Sequence, residues 1–318
     1  MSEAYQAPWW LPGGHLQTLV AALAPAPRIP WRRERWDTPD GDFIDLDWTG
    51  TETANAGAVL AIFHGLEGSS NSPYARAVAA LALRRGYRCV VPHFRGCSGE
   101  LNRLPRAYHS GDSAEIAWIL ERLGAAHAAS GVLHAVGISL GGNALLKHLG
   151  EAGEGALVRR AAAISAPLDL AAASRQLDRG FGRELYTRVF LSTLKNKTLQ
   201  KLRAGQIAVD EARLARARTF FEFDDTVTAP LHGFAGAEDY WARSSSGPYL
   251  ARIRVPTLVL NARNDPFLPA AALDTAAASL RAIPSPVTID FPRTGGHAGF
   301  PGRRRWLARR VLAFLQSP

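Results

Sequence analysis

Short apolar runs alternate with longer amphipathic runs along most of the chain. The short runs are apolar or β-branched and predict strands, at residues 59–63, 88–92, 132–136, 257–260 and, less clearly, 287–291. Runs rich in Ala, Leu and Arg predict helices between them, at residues 75–85, 113–123 and 143–149. This alternation indicates an α/β fold with a mostly parallel central sheet that helices flank on both faces.

The alternation stops between residues 168 and 249. Helical runs occur there at 184–194 and 198–204, but no convincing strand does, and the strand pattern resumes at Val255. We therefore expect a single domain over residues 1–318, with a helical cap at 168–249 inserted between two strands. Residues 1–30 contain five prolines, two tryptophans and a Gly-Gly pair. They predict an ordered N-terminal arm that lies over the domain.

A candidate nucleophile lies at the centre of the chain. The segment Gly137-Ile138-Ser139-Leu140-Gly141 follows a predicted strand and precedes a predicted helix. A G-x-S-x-G motif in this context is typical of a nucleophile elbow, whose sharp turn exposes the serine hydroxyl. The flanking glycines let the backbone pass closely. Ser139 is therefore the candidate nucleophile, and the alternative is a glycine-rich turn with an incidental serine.

A serine hydroxyl needs a base within hydrogen-bond reach and a group that orients the base. In nucleophile-elbow hydrolases the chain order is serine, acid, histidine, and His297 is the only histidine beyond position 232. Asp265 follows the strand at 257–260 and is the preferred acid, since it could accept from the imidazole and set its tautomer. Asp169 also follows a strand-like run and is the second choice.

Two backbone N–H groups are expected to stabilise the developing oxyanion. One belongs to Leu140, the residue directly after the candidate nucleophile. The other follows the strand at 59–63, in a turn that resembles the His-Gly oxyanion turn of lipases and esterases. There the sequence places Leu66 as the donor.

The composition excludes several classes of protein. The chain is 47% hydrophobic and 20% charged, unlike a disordered, collagen-like or coiled-coil chain. Two cysteines, Cys89 and Cys97, exclude a disulfide scaffold and favour reduced thiols in the cytoplasm. No apolar run approaches 18 residues, and the first six residues do not resemble a signal peptide.

The net charge is +9, from 37 basic and 28 acidic residues. We favour a basic surface on a soluble enzyme over nucleic-acid binding, because no nucleic-acid motif accompanies the charge. Arginines are densest at 303–310, in an amphipathic terminal helix. Its basic face could also make weak contact with lipid headgroups.

Several segments resemble the YheT-like α/β-hydrolases, a group that includes plant embryogenesis-associated hydrolases and animal α/β-hydrolase-domain lipases. These segments are residues 8–19 (PWWLPGGHLQTL), 63–69, 72–74, 94–100, 108–112, 264–267 and 295–300. The resemblance implies a serine hydrolase that acts on small-molecule or lipid esters through a Ser139–Asp265–His297 triad. This chemistry needs no metal or organic cofactor.

Two positions differ from the usual form of these motifs. Pro12 and Gly13 stand where the family often has a basic residue and Asn, and Asn264 stands where it often has a second acid. Neither difference removes a triad group.

Other functions are compatible with the same residues. The triad could transfer the acyl group to an alcohol or amine, or cleave amides. The absence of an H-x-x-x-x-D pattern favours hydrolysis over acyl transfer. A non-catalytic binding module is a further alternative. Four residues of the family motifs could line the site, but we favour internal hydrogen bonding for them: Arg95, Cys97, His109 and Asp112. The sequence sets no oligomeric state.

Overall fold

One eight-stranded sheet organises the computed structural model, which describes residues 4–50, 58–126, 131–281, 284–302 and 305–317. The strands are β1 (Arg32–Asp37), β2 (Phe43–Thr49), β3 (Val59–Phe63), β4 (Arg88–Pro92), β5 (Leu133–Ile138), β6 (Arg160–Ile164), β7 (Thr257–Leu260) and β8 (Val287–Asp290). Their order across the sheet is β1-β2-β4-β3-β5-β6-β7-β8. The β1–β2 and β2–β4 pairs are antiparallel, and all the others are parallel. The predicted mostly parallel sheet is confirmed.

Helices connect and cover the strands. They are α1 (Gly14–Leu23), α2 (Pro73–Leu83), α3 (Ser113–Ala126), α4 (Leu140–Ala152), α5 (Leu170–Leu177), α6 (Gly180–Gly182), α7 (Arg188–Arg203), α8 (Glu211–Arg216), α9 (Phe220–Phe223), α10 (Ala229–Leu231), α11 (Ala237–Ser244), α12 (Ala270–Arg281) and α13 (Trp306–Leu315). Two π-helical turns, Arg183–Thr187 and Asp224–Thr228, and two 3-10 turns, Gly153–Gly155 and Gly247–Arg252, adjoin them. None of the helices in the described ranges combines the length and apolar character needed to span a bilayer.

The two faces of the sheet pack against different helices. Successive strand side chains point to opposite faces, so Leu60 and Ile62 of β3 pack with α2 and α13, whereas Ala61 and Phe63 pack with α3, α4 and α12. All five residues of β3 are buried, as expected where helices cover both faces of a parallel sheet. The apolar side of α13 also lies in this core, while Arg303 and Arg304 lie outside the described residues.

Three strands were not predicted from the sequence. β1 is charged at five of its six positions, and charged residues alternate with apolar ones in β2. The buried carboxylates of Asp45 and Asp47 are unfavourable in a core strand unless they are paired. The structure pairs them across the two strands with Arg35 and Arg33, each through two N–H···O contacts of 2.7–2.9 Å, and such paired charges can be buried. In β6 the sequence Arg-Ala-Ala-Ala-Ile resembles a helix.

Between β6 and β7 every regular element is helical. Residues 168–249 are all described, and we call them the helical segment. The predicted helical runs at 184–194 and 198–204 correspond to one continuous stretch, from the first π-helical turn to the end of α7 at Arg203, one residue earlier than predicted. The segment has an apolar cluster of its own around Leu191, Leu214 and Phe223.

Candidate active site

Ser139 occupies a sharp turn between β5 and α4. Its backbone has φ 52° and ψ −119°, a left-handed conformation that costs a non-glycine residue free energy and is typical of functional sites. A side chain at Gly137 would collide with the Gly141 carbonyl oxygen, and one at Gly141 would collide with the carbonyl oxygens of Phe63 and His64. The glycines of the motif are therefore required by close backbone packing, and α4 begins at Leu140, three residues earlier than predicted.

The three candidate catalytic side chains form one hydrogen-bonded chain. The Ser139 Oγ lies 2.9 Å from the His297 Nε2, and the His297 Nδ1 lies 2.8 Å from the Asp265 Oδ2. The second Asp265 oxygen accepts from the backbone N–H of Phe267 at 2.8 Å. The Phe267 ring stacks on the imidazole with 4.0 Å between ring centroids. Serine, imidazole and carboxylate thus have the spacing that a nucleophile, a base and an orienting acid need.

The second candidate acid lies elsewhere. Asp169 caps α5, where its carboxylate accepts from the backbone N–H of Ala172 at 2.9 Å. That is an ordinary N-cap interaction. Asp265, which is 3% exposed, is therefore the carboxylate that the structure brings to His297.

Residues of α1 hold the loops that carry His297 and Asp265. Thr18 Oγ1 accepts from the His297 backbone N–H at 2.8 Å, and it donates to the Gly14 carbonyl at the same distance. The Gln17 side-chain oxygen accepts from the Gly295 N–H at 2.8 Å and from the Asn264 side chain at 3.0 Å. Sequence reasoning did not assign these roles. The only signal was the 8–19 motif, in which both side chains occur.

The predicted oxyanion turn lies beside the candidate nucleophile. The N–H groups of Gly65 and Glu67 donate to the hydroxyls of Tyr74 and Tyr108, at 3.0 and 2.9 Å. Within the described ranges no protein group accepts from the Leu66 N–H between them. Leu140 is the first residue of α4, and the first N–H groups of a helix lack intrahelical partners. Both predicted donors are thus available to a ligand.

Glu67 connects this turn to the helical segment. Its carboxylate oxygen Oε1 accepts from the Tyr108 hydroxyl at 2.7 Å and from the Lys197 ammonium of α7 at 2.8 Å. Glu67 itself has φ 54°, a conformation that needs support from its surroundings. The position of α7 is therefore linked to the backbone that carries the Leu66 N–H.

The other motif residues make contacts that stabilise loops. Arg95 pairs with Asp42 and Glu115, with all three side chains buried. Asp112 pairs with Arg106 at 2.5 Å. His109 Nδ1 accepts from the Gly111 N–H at 3.2 Å, although His109 and Arg95 also border the cavity described below.

The cysteines do not resemble nucleophiles. Burial raises the pKa of Cys97 to about 12 and that of Cys89 to about 12, so both remain protonated thiols at neutral pH. In the described part of the chain, no three His, Cys, Asp or Glu side chains cluster as metal ligands would.

A cavity of about 710 Å³ opens over Ser139 and His297. Three parts of the chain form most of its walls: residues between Trp10 and Pro27, the loops at the carboxyl ends of the strands, and the helical segment. Most of its lining is apolar and includes Leu19, Leu185 and Phe190. A bound molecule can therefore place an apolar group in the cavity while its reacting atom lies near Ser139.

Comparison with known proteins decides the family. The sequence profile of the alpha/beta hydrolase fold matches residues 58–300, well over half of the chain. The protein is an α/β-hydrolase. Both the fold and the family expected from the sequence are confirmed.

Curated relatives of this α/β-hydrolase match along nearly its whole length. It is 40% identical over 320 residues to the protein named "Putative esterase YheT" of Escherichia coli (strain K12), with 95% of this chain and 90% of that protein covered. It is 28% identical over 330 residues to phospholipase ABHD3 of Homo sapiens, with 100% and 80% covered. The solved Pyrococcus furiosus esterase Pf2001 matches with a TM-score of 0.60 at 14% identity, covering 91% and 90% of the two chains. That structural likeness bears on the fold alone.

Proposed function

We propose that this α/β-hydrolase cleaves carboxylic esters through a Ser139–His297–Asp265 triad. The observation that carries the proposal is the continuous chain of hydrogen bonds from Ser139 Oγ through both imidazole nitrogens to Asp265. This chain starts at a strained serine beneath an apolar cavity. The names of the relatives, an esterase and a phospholipase, support ester hydrolysis.

The reaction follows from the arrangement of these groups. Ser139 Oγ attacks the acyl carbon while His297 Nε2 takes the hydroxyl proton. Asp265 orients the imidazole and stabilises its cationic form. The N–H groups of Leu66 and Leu140 bind the oxyanion of the tetrahedral intermediate. His297 then gives the proton to the leaving alcohol, and the acyl group stays on Ser139. Water, activated by the same imidazole, releases the acid.

The cavity lining supports a small-molecule or lipid ester with an apolar acyl group as the substrate. In this proposal the helical segment is the predicted cap and residues 4–30 belong to the predicted arm. Both cover part of the triad and limit its contact with bulk water, which strengthens the electrostatic interactions there. Residues 1–3 of the arm lie outside the described residues.

The first test is the substitution Ser139→Ala. Turnover of a p-nitrophenyl ester should fall by about 10³-fold or more, because the nucleophile is lost. The thermal midpoint should fall little, and fluorophosphonate labelling should disappear. Wild-type turnover by this variant would reject the assignment. Product analysis with an added alcohol distinguishes hydrolysis from acyl transfer.

The acid is tested by a matched pair of substitutions. Asp265→Asn should lower kcat by about 10²–10⁴-fold, since the amide cannot hold the imidazole in the required tautomer. Asp169→Asn alters a carboxylate that the structure places at a helix cap, and it should leave kcat near the wild-type value. The reverse pattern would make Asp169 the acid.

A further inference from the structure

Exposed apolar side chains concentrate on two segments of the chain. Eight large apolar residues are exposed in the described ranges, and six of these lie at positions 9–23 or 181–189. They are Trp9, Trp10, Leu16, Leu23, Phe181 and Val189. Trp9 is 93% exposed and Leu23 is 82% exposed. Such a concentration of apolar surface marks an interaction site rather than chance exposure.

The two segments are in contact and surround the opening of the cavity. The His15 ring lies 4.8 Å from the Phe181 ring, and its Nδ1 lies 3.2 Å from the Tyr186 hydroxyl. Trp10 and Val189 both border the cavity and are both more than half exposed. The cavity therefore reaches the surface between the segments. We call the six residues together the docking face.

Basic residues accompany the docking face. Residues 175–203 contain eight basic and two acidic side chains. Three of the basic side chains, Arg175, Arg183 and Lys197, pair with carboxylates, and Lys201 is buried. The exposed Arg188 directly precedes Val189, and the exposed Arg179 lies two residues before Phe181. Arg28, just beyond α1, is also exposed. Positive charge beside exposed apolar side chains complements a surface that is negative outside and apolar beneath.

We propose that the docking face binds an anionic lipid surface. Tryptophan favours the boundary between headgroups and acyl chains, because its ring is apolar and carries one polar N–H. In this position the cavity opens toward the lipid, and an ester can pass from the surface to Ser139 without crossing bulk water. The predicted alternative, α13, is a weaker candidate because Leu307, Val311 and Leu315 are buried in the core.

This proposal goes beyond ester hydrolysis and can be tested without it. Binding is measured on the full-length Ser139→Ala variant, so that no lipid is consumed. The probes are unilamellar vesicles of phosphatidylcholine with one quarter phosphatidylglycerol, and of phosphatidylcholine alone. Co-sedimentation gives the partition coefficient, and tryptophan fluorescence reports insertion. If the enzyme that keeps Ser139 shows no ester turnover, the proposed function is rejected, and the binding result is unaffected.

Matched substitutions locate the binding surface. Leu23→Ser and Trp9→Ser should each lower the partition coefficient by about fivefold or more, because each removes exposed apolar area. The control is Leu157→Ser, at an exposed leucine just before β6. Arg188→Glu should weaken binding to the anionic vesicles, whereas Arg84→Glu, just before β4, should not. Both controls lie at the edge of the sheet where the parallel strands begin, opposite Ser139.

The outcomes separate the possible occupants of the docking face. Loss of binding in the docking-face variants, with normal binding in both controls, supports the proposal. The proposal is rejected if no vesicle binds, or if Leu157→Ser weakens binding as much as Leu23→Ser does. If no vesicle binds but light scattering shows a dimer, and Trp9→Ser dissociates that dimer, the docking face is assigned to a second copy of the chain. Folding of the variants is checked separately. In the enzyme that keeps Ser139, Leu23→Ser and Trp9→Ser should each turn over a soluble p-nitrophenyl ester at the wild-type rate.

Discussion

At the scale of single residues, the candidate site depends on contacts between distant parts of the chain. His297 contacts Ser139 and Asp265 through its ring and Thr18 through its backbone. Gln17 holds the glycine two residues before His297. The ring can serve as a base only where these contacts hold it, because a displacement of about 1 Å in a catalytic group can cost about 10² in rate.

Thr18→Val tests this positioning. The substitution preserves the shape of the side chain and removes the acceptor for the His297 N–H, which costs about 1–3 kcal/mol when the group stays unpaired. We expect kcat to fall about tenfold and Thr18→Ser to restore most of it. Equal kcat values for the valine variant and the wild type would show that the contact does not position the base.

At the scale of elements, α7 and the oxyanion turn are joined by the Lys197–Glu67 ion pair. A neighbouring lysine of the same helix makes a different contact. Among the residues that the structure describes, Lys195 donates only to the carbonyl oxygens of Ala215 and Ala217, inside the helical segment. The two lysines thus differ in whether they link the segment to the catalytic loops.

Lys197→Ala should therefore lower kcat while Lys195→Ala does not. We expect a loss of about fivefold for Lys197→Ala, since a partly exposed ion pair contributes about 1 kcal/mol. Steady-state kinetics on one soluble ester measures both variants. Equal effects of the two substitutions would rule out a specific link through Glu67.

The helical segment also contains a buried carboxyl group whose protonation affects stability. Burial raises the pKa of Asp224 to about 7, although it accepts hydrogen bonds from Thr228 and Trp241. The folded-state pKa lies above the usual value near 4. The protonated group therefore contributes stability that is fully present below pH 4 and is lost as the pH rises through 7.

Asp224→Asn should remove this loss. The thermal midpoint of the variant minus that of the wild type should be larger at pH 8.5 than at pH 5. Each kcal/mol of recovered stability should raise this difference by about 2–4 °C. The partly exposed Asp225, which pairs with Arg213, provides the control as Asp225→Asn. A midpoint difference that does not change with pH would contradict the prediction.

At the scale of the whole molecule, the cavity exists only where three parts of the chain meet. The sheet supplies Ser139, α1 supplies Leu19 and the helical segment supplies Leu185 and Phe190. Its apolar lining should bind the acyl chain of a substrate in proportion to the apolar area that leaves water.

An ester series of increasing acyl length tests this binding. At constant leaving group, kcat/KM should rise by up to about fourfold for each added methylene, because burial of one CH₂ contributes about 0.8 kcal/mol. The rise should stop when the cavity is full. A flat profile below the micellar concentration would show that the acyl chain does not enter the cavity.

The sequence by itself determined the features that depend on local pattern. Apolar runs predicted most of the parallel strands, because each of these strands is a short stretch of consecutive apolar residues that is buried in the core. The glycine motif predicted the turn at Ser139, because only small residues fit that packing. The order of serine, acid and histidine predicted His297 as the candidate base, and family resemblance led to the correct fold.

Tertiary structure decided what depends on partners far apart in the chain. Strands β1 and β2 could not be predicted from the sequence, because their buried charges are neutralised only by residues of the neighbouring strand, in pairs such as Arg33 and Asp47. The choice between Asp169 and Asp265 required knowing which carboxylate reaches the imidazole. Contacts such as that of Thr18 with His297 join residues almost a full chain length apart. They leave no periodic signal, because hydrogen bonding depends on distance in space and not on separation along the sequence.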